Sequence, residues 1–226
     1  MLAGSASTGI CVLEPSPMAT AIATAPAHSE SILARLKAAT RAEHDAIEAT
    51  LDFLGPDLDR HAYQQRLARL FTFYEPLEPV LATAADWAHW GIDFGARRKT
   101  AHLAADLQWL GHSELASLPR CGELPPLPGA AAAFGCLYVL EGATLGGRII
   151  ARHLAGTLGF SADSGASYFS AYGDRGGSMW KAFQAAMSSF AEQSADSDAI
   201  VASAVATFDA LRSWCSQRGS TEGSGL

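Results

Sequence analysis

The sequence predicts an all-α protein built as one helical domain. Apolar residues recur at intervals of three and four along most of the chain, which is the period of one helix face. Alternating strand patterns are nearly absent, and no repeat of 20–50 residues occurs. The chain has 226 residues, 49% of them hydrophobic and 17% charged, enough for one domain with a sizeable core. We expect about six to eight helices.

The first helix is predicted to follow Ser29 or Ser31, either of which can cap it. Gly55-Pro56 is expected to end it. One side of this helix is apolar, and its steps are three or four residues long. That side consists of Leu33, Leu36, Thr40, His44, Ile47, Leu51 and Leu54.

The remaining helices are separated by proline and glycine. A second helix is expected from Asp59 to Glu75, with Pro76 and Pro79 marking a kink or a restart. A loop rich in Pro and Gly, residues 119–129, divides the chain into two halves. Further helices are predicted at residues 98–110, 130–158, 178–193 and 196–218, with a loop at 168–177.

The two ends of the chain lie outside this pattern. Residues 1–28 contain no Lys or Arg and are rich in Ala, Ser, Thr and Pro, so they are expected to form a flexible tail rather than a signal or transit peptide. Residues 219–226 are predicted to be a second flexible tail. The helical domain is therefore assigned to residues 29–218.

Composition excludes several classes of partner. The net charge is −7, and the longest basic cluster is Arg97-Arg98-Lys99, which is interpreted as a solvated turn or helix face; no nucleic-acid partner is expected. The longest apolar run is interrupted by charges, so no membrane insertion is expected. The four cysteines form no CxxC or zinc-type pattern, which suits a cytoplasmic protein.

His44 stands in the middle of an apolar helix face, where Leu would be the ordinary residue. A buried imidazole needs partners for both ring nitrogens. A metal on one nitrogen is one solution, and a hydrogen bond to a neighbouring helix is the other. The histidine alone favours the second interpretation.

A second unusual feature is the glycine-rich segment of residues 135–154. Each interior glycine weakens a helix by roughly 0.5–1 kcal/mol relative to Ala, so Gly142, Gly146 and Gly147 need a compensating reason. Close helix packing is one reason, and a bare, bendable helix face beside a ligand is another. Together, His44 and such a face describe a slot for a flat ligand.

Two motifs resemble the heme oxygenase family. Residues 36–48, LKAATRAEHDAIE, resemble its proximal helix, whose pattern is Leu-Lys-x-x-Thr-x-x-x-His. Residues 138–154, YVLEGATLGGRIIARHL, are similar to its glycine-rich distal helix, and most similar to the bacterial branch associated with bacteriophytochromes. The four fixed positions of the first motif are Leu36, Lys37, Thr40 and His44.

The resemblance implies a heme-oxygenase-like helical bundle with heme between a proximal and a bent distal helix. His44 would be the iron ligand, and Gly142 and Gly146 the catalytic distal wall. Gly147 would also contact heme, Lys37 would contact a propionate, and Phe208 would pack on the ring. Weaker propionate candidates are Arg41 and Lys181, and His153 is a competing ligand.

The implied reaction opens heme, as both cofactor and substrate, to biliverdin, CO and Fe²⁺. It uses O2 and an external donor such as ferredoxin or flavodoxin with a reductase, and the product would supply a bacteriophytochrome. One departure is Ala143, where many members carry an Asp. A non-catalytic heme-binding or heme-storage protein is therefore the alternative. Glu141, next to Gly142, is expected to point away from the slot. A di-iron site is disfavoured because no Glu-x-x-His pair occurs.

Overall fold

The computed structural model describes residues 30–217, and every structural statement below refers to this part of the chain. It contains seven α-helices and no β-strand, in agreement with the predicted all-α class. The predicted tails lie outside the described residues, so the limits of the domain stay a prediction. The helices are α1 (Ile32–Ala39), α2 (Arg41–Leu51), α3 (Arg60–Thr83), α4 (Thr100–Trp109), α5 (Ala130–Thr157), α6 (Gly176–Ser194) and α7 (Ser197–Ser216).

The first predicted helix is in fact two helices, α1 and α2, that meet at Thr40. Ser31 caps α1 by accepting a hydrogen bond from the N–H of Ala34. Thr40 leaves the helical conformation, with φ −107° and ψ 6°, and its hydroxyl donates to the carbonyl of Leu36 at 2.8 Å. Helix α2 ends at Leu51, earlier than predicted, because Asp52 adopts a left-handed conformation with φ 36°. Backbone hydrogen bonds still run from Thr40 to Leu36 and from His44 to Thr40, so the break between α1 and α2 is local to Thr40.

Helix α3 continues through both prolines to Thr83, so the predicted end near Glu75 is wrong. Pro76 has no N–H and leaves the carbonyl of Thr72 without its helical partner. The N–H of Cys121, in the loop between the two halves, donates to that carbonyl at 3.0 Å. The lost helical bond is thus replaced by a bond from another segment.

The core lies where α7 packs against α5, α2 and α3. Aromatic side chains dominate it, and several of them have no exposed surface, among them Tyr63, Phe73, Phe134 and Phe183. Such residues contribute most of the apolar area that stabilises a small domain. Both α2 and α5 therefore pack against α7.

Helix α5 is long and apolar enough, by length and composition, to cross a membrane. Its N-terminal part lies inside the bundle, where residues 131–137 are all buried. A core helix of this kind meets the same two criteria, and it is the only helix in the described part of the chain that does.

The basic triplet is not a solvated face, contrary to the prediction. Arg97 and Lys99 are buried, with 6% and 2% of their surface exposed, and Arg98 alone reaches solvent. Buried cations require paired anions. Glu141 on α5 pairs with both buried cations, and Glu78 on α3 pairs with the exposed Arg98.

Candidate functional site

A cleft of about 550 Å³ opens between α2 and α5, with α7 below them. This volume is within the range of small-molecule and cofactor sites. Most of the lining is apolar or aromatic. The residues that line it include Thr40, His44, Tyr74, Tyr138, Gly142, Gly146, Tyr168, Phe169, Trp180 and Phe208.

His44 lies on the α2 side of the cleft, with half of its side chain exposed. Its ring meets that of Phe208 edge to face, with 6.1 Å between the centroids. The Nδ1 atom lies 3.7 Å from a carboxylate oxygen of Glu48 and 3.9 Å from one of Asp45. The imidazole therefore has an aromatic neighbour on α7 and carboxylates near one nitrogen. Its partial exposure shows that it is not a hydrogen-bonded core histidine.

The opposite side of the cleft is the glycine stretch of α5. A Cβ atom built on Gly142 or Gly146 would meet nothing within 4 Å, because both positions face open space. Both line the cleft. Each of these glycines therefore leaves room at the helix surface, and close helix packing does not explain them.

Gly135 and Gly147 serve a different purpose. A Cβ on Gly135 would lie 2.2 Å from the carbonyl oxygen of Ile200, so this glycine allows α5 and α7 to approach closely. A Cβ on Gly147 would lie 2.9 Å from the carbonyl oxygen of Phe169. Gly147 is buried against that loop and does not line the cleft. The prediction that it contacts the ligand is not supported by this placement.

The inner end of the cleft carries two tyrosines whose hydroxyls lie 3.1 Å apart, Tyr74 on α3 and Tyr168 on the loop before α6. Burial raises the pKa of both phenols, that of Tyr168 to about 12. Both are therefore neutral at physiological pH and can donate or accept a hydrogen bond.

Asp106 holds the loop that carries Tyr168. Its two carboxylate oxygens accept the backbone N–H groups of Ser167 and Tyr168, each at 2.8 Å. Burial raises the pKa of Asp106, and these two hydrogen bonds oppose the shift. The inner wall of the cleft is thus held through the backbone as well as through the hydrogen bond between the two tyrosines.

This geometry agrees with comparisons to known proteins. The sequence model of the heme oxygenase family matches residues 30–217. The chain belongs to the heme oxygenase family. A heme oxygenase of Xanthomonas campestris pv. campestris (strain 8004) is 34% identical over 158 residues, 68% of this chain and 86% of that protein.

Solved heme oxygenases share the fold. The NO- and CO-bound enzyme of Neisseria meningitidis superposes with a TM-score of 0.69 at 20% identity, covering 87% of this chain and 98% of that one. The heme oxygenase of Leptospira interrogans gives a TM-score of 0.64 at 19% identity, over 83% and 99%. The predicted fold, family and enzyme class, a heme-degrading oxidoreductase, are confirmed.

The residues of this heme oxygenase fit the heme group on structural grounds. One apolar cleft brings an imidazole to one side and two side-chain-free positions to the other. A flat, apolar ring needs such a lining, and its iron needs one neutral nitrogen ligand. His44, Gly142, Gly146 and Phe208 all line the cleft, as predicted.

The predicted propionate ligands lie elsewhere. Lys37, Arg41 and Lys181 are exposed and do not line the cleft. His153 also lies outside the lining, so it does not compete with His44 there. The roles of the three cations stay predictions.

Sequence reasoning missed much of the aromatic lining. Tyr74, Tyr168, Phe169 and Trp180 come from α3, α6 and a loop, and they carry no spacing that relates them to His44. It also left Glu141 without a role. The signal in that case was an acid inside the apolar run LYVLEG, because a buried carboxylate must have partners.

Proposed function

We propose that this heme oxygenase opens heme to biliverdin, CO and Fe²⁺, with O2 and electrons from an external donor such as ferredoxin or flavodoxin with a reductase. One observation carries the proposal: His44 and the bare positions Gly142 and Gly146 line the same apolar cleft. When bound, heme supplies the iron at which O2 is reduced and the ring carbon that is oxidised.

His44 is assigned as the iron ligand through Nε2. Nδ1 is the nitrogen that lies near Glu48 and Asp45, at 3.7 and 3.9 Å, and Nε2 is the nitrogen with no carboxylate beside it. A hydrogen bond from the second ring nitrogen to a carboxylate is the usual device that orients a metal-bound histidine; in this structure the two carboxylates are in ion-pair range of Nδ1 and make no hydrogen bond to it. Thr40, one helical turn before His44, separates α1 from α2.

Gly142 and Gly146, on the α5 side of the cleft, contribute by having no side chain. Side chains at Gly142 and Gly146 would occupy part of the cleft opposite His44, where heme and a diatomic molecule would both need room. The apolar lining limits the number of waters beside the reacting edge, which strengthens the electrostatic interactions that remain. The neutral hydroxyls of Tyr74 and Tyr168 hydrogen-bond to each other, so the one that accepts within this pair keeps its proton for a water that stays there.

The iron-ligand assignment is tested by the optical spectrum of His44→Ala with heme. We expect the variant to lose the histidine-ligated ferric spectrum and to regain it, at least partly, when imidazole is added. His153→Ala is the matched control, because this histidine lies outside the cleft lining, and it should keep that spectrum. A His44→Ala protein with the wild-type spectrum would place the ligand elsewhere.

A non-catalytic heme-binding protein is the second candidate, and Ala143 favours it. This exposed residue stands in the distal stretch where many relatives carry an Asp. Incubation of the heme complex with reductant and O2 separates the two functions. Loss of the Soret band, growth of a broad red band and release of CO support the enzyme. A persistent Soret band under these conditions would support storage.

Supply of a bilin chromophore to a bacteriophytochrome in the cytoplasm is the role we propose for the product. It rests on the similarity of residues 138–154 to the branch associated with those receptors. Co-expression of this chain with an apo-bacteriophytochrome tests it. The receptor should gain red absorbance with the wild-type chain and none with His44→Ala. Equal absorbance with both would contradict the role.

A further inference from the structure

Glu141 is a buried carboxylate directly before Gly142, and it points to the side of α5 away from the cleft. Only 1% of its surface is exposed. One oxygen accepts a hydrogen bond from the guanidinium of Arg97, and the other accepts one from the hydroxyl of Tyr172. The Nζ atom of Lys99 lies 3.6 Å from that second oxygen. The side chain therefore has a full set of partners and no free oxygen for the substrate.

Those partners join α5 to three other parts of the fold. Arg97 and Lys99 belong to the segment that leads into α4, and Arg97 also donates to the carbonyl of Met179 on α6 at 3.2 Å. Tyr172 belongs to the loop that carries Tyr168 into the cleft. The Glu141 carboxylate thus connects α5 with the segment before α4 and with the loop that carries Tyr168, and through Arg97 it also connects α5 with α6.

The helix beyond Glu141 has little else to hold it. In residues 142–153, all of which the structure describes, only Gly147 is buried. Gly142 and Gly146 face open space. Ile150 and Ala151 pack only partly against the core, and Arg148 pairs with Asp174 at the surface. The contacts at Glu141 and at Gly147 are therefore the buried ones that hold the start of this stretch.

A second buried carboxylate nearby has a different task. Glu78 on α3 accepts the backbone N–H and the hydroxyl of Thr100, at 3.2 and 2.7 Å, and pairs with Arg98. It contacts the same basic segment and is equally buried, at 2% exposure. No hydrogen bond joins it to α5 among the described residues, so it serves as a control of matched charge and burial.

We propose that Glu141 is a positioning residue for heme oxygenase turnover: through Arg97 and Tyr172 it fixes the glycine stretch of α5 at the distance from His44 that the reaction needs. This assignment rests on the proposed placement of heme between His44 and the glycines. Glu141 does not touch the substrate, and its effect passes through the helix backbone.

The first test uses the apoprotein, so that it does not depend on heme. Hydrogen exchange of the amides in residues 142–150 should be about tenfold faster in Glu141→Gln than in the wild type, because the carboxylate contacts oppose local opening. Amides of α2 should be unchanged. Glu78→Gln should leave residues 142–150 at the wild-type rate. Equal acceleration in both variants would mean a general loss of charge balance and would overturn the proposal.

The second test uses the heme complex. Glu141→Gln should keep the ferric spectrum set by His44, lose about tenfold in kcat with a smaller change in KM, and release a broader mixture of biliverdin isomers. Unchanged kcat and a single isomer would overturn the positioning role. Should His44 prove not to be the ligand, the exchange experiment on the apoprotein still decides the role of Glu141.

Tyr172→Phe covers the case in which Glu141→Gln does not fold. It removes one hydrogen bond and leaves every charge in place. We expect the same exchange pattern at residues 142–150, accelerated about two- to fivefold. Wild-type exchange in a folded Tyr172→Phe protein would contradict the proposal.

Discussion

The two halves of α5 use the same residue type for opposite purposes. From Ala130 to Glu141 nearly every position is buried, and Gly135 lets α7 come so close that a Cβ would collide with its backbone. From Gly142 onward the helix is thinly packed, and Gly142 and Gly146 face open space. A glycine in a helix can therefore mark contact or the room for a ligand, and only its surroundings distinguish them.

The largest expected effect on stability is at Gly135. In Gly135→Ala the new Cβ would lie 2.2 Å from the carbonyl oxygen of Ile200, so α5 or α7 must move. We expect the free energy of unfolding of the apoprotein to fall by about 1–3 kcal/mol, measured by denaturant unfolding. Heme affinity of the folded fraction should stay close to that of the wild type. A Gly135→Ala protein as stable as the wild type would contradict the different purposes of glycine in the two halves of α5.

Lys99 lies beside Glu141, where the two halves of α5 meet, and it makes the free energy of unfolding depend on pH. Burial lowers the pKa of this ammonium from 10.5 to about 8, although Glu141 and Glu78 oppose the shift. Above pH 8 the folded state releases a proton that the unfolded state retains, so the contribution of Lys99 to stability rises with pH. We expect the free energy of unfolding of the wild type to gain about 1 kcal/mol over that of Lys99→Met between pH 8 and pH 9, measured by unfolding both proteins at each pH.

Lys99→Met is the control for that gain, because it keeps the length of the side chain and removes the titrating group. The raised pKa values of Cys121, Cys136 and Cys215 contribute with the opposite sign as the pH approaches 9, and they are present in both proteins. The same pH dependence in the wild type and in Lys99→Met would mean that Lys99 makes no such contribution.

The smallest expected change in stability is at Gly142, and it is a gain, whereas the change at Gly135 is a loss. In Gly142→Ala the Cβ meets no atom within 4 Å, so the better helix propensity should raise the free energy of unfolding by about 0.5–1 kcal/mol. Heme affinity and turnover should both fall, because the methyl group enters the cleft.

Gly156→Ala is the matched control: it lies on the same helix with open space around it but outside the cleft. It should be stabilised equally and keep heme affinity. Undiminished heme binding in Gly142→Ala would contradict the proposed site.

Sequence reasoning could predict the features that repeat locally. The spacing around His44 and the glycines of α5 places these residues on helices, and in the structure His44, Gly142 and Gly146 line one cleft. It misjudged the limits of the first helix, because a left-handed Asp52 is not encoded by apolar periodicity.

Features that depend on distant segments could not be predicted in this way. Arg97 looked like a surface cation until its partner Glu141, 44 residues further along the chain, was placed beside it. Tyr168 reaches the cleft because Asp106, 62 residues earlier, holds its backbone. Neither pair has a local pattern, since each is created by how the helices pack.

The interruption at Pro76 joins two distant parts of the chain. In an unbroken helix the carbonyl of Thr72 would accept its hydrogen bond from residue 76 of the same helix. Here it accepts from the N–H of Cys121, which lies outside α3. A defect in one helix is in this way the docking point for the loop that joins the two halves of the chain.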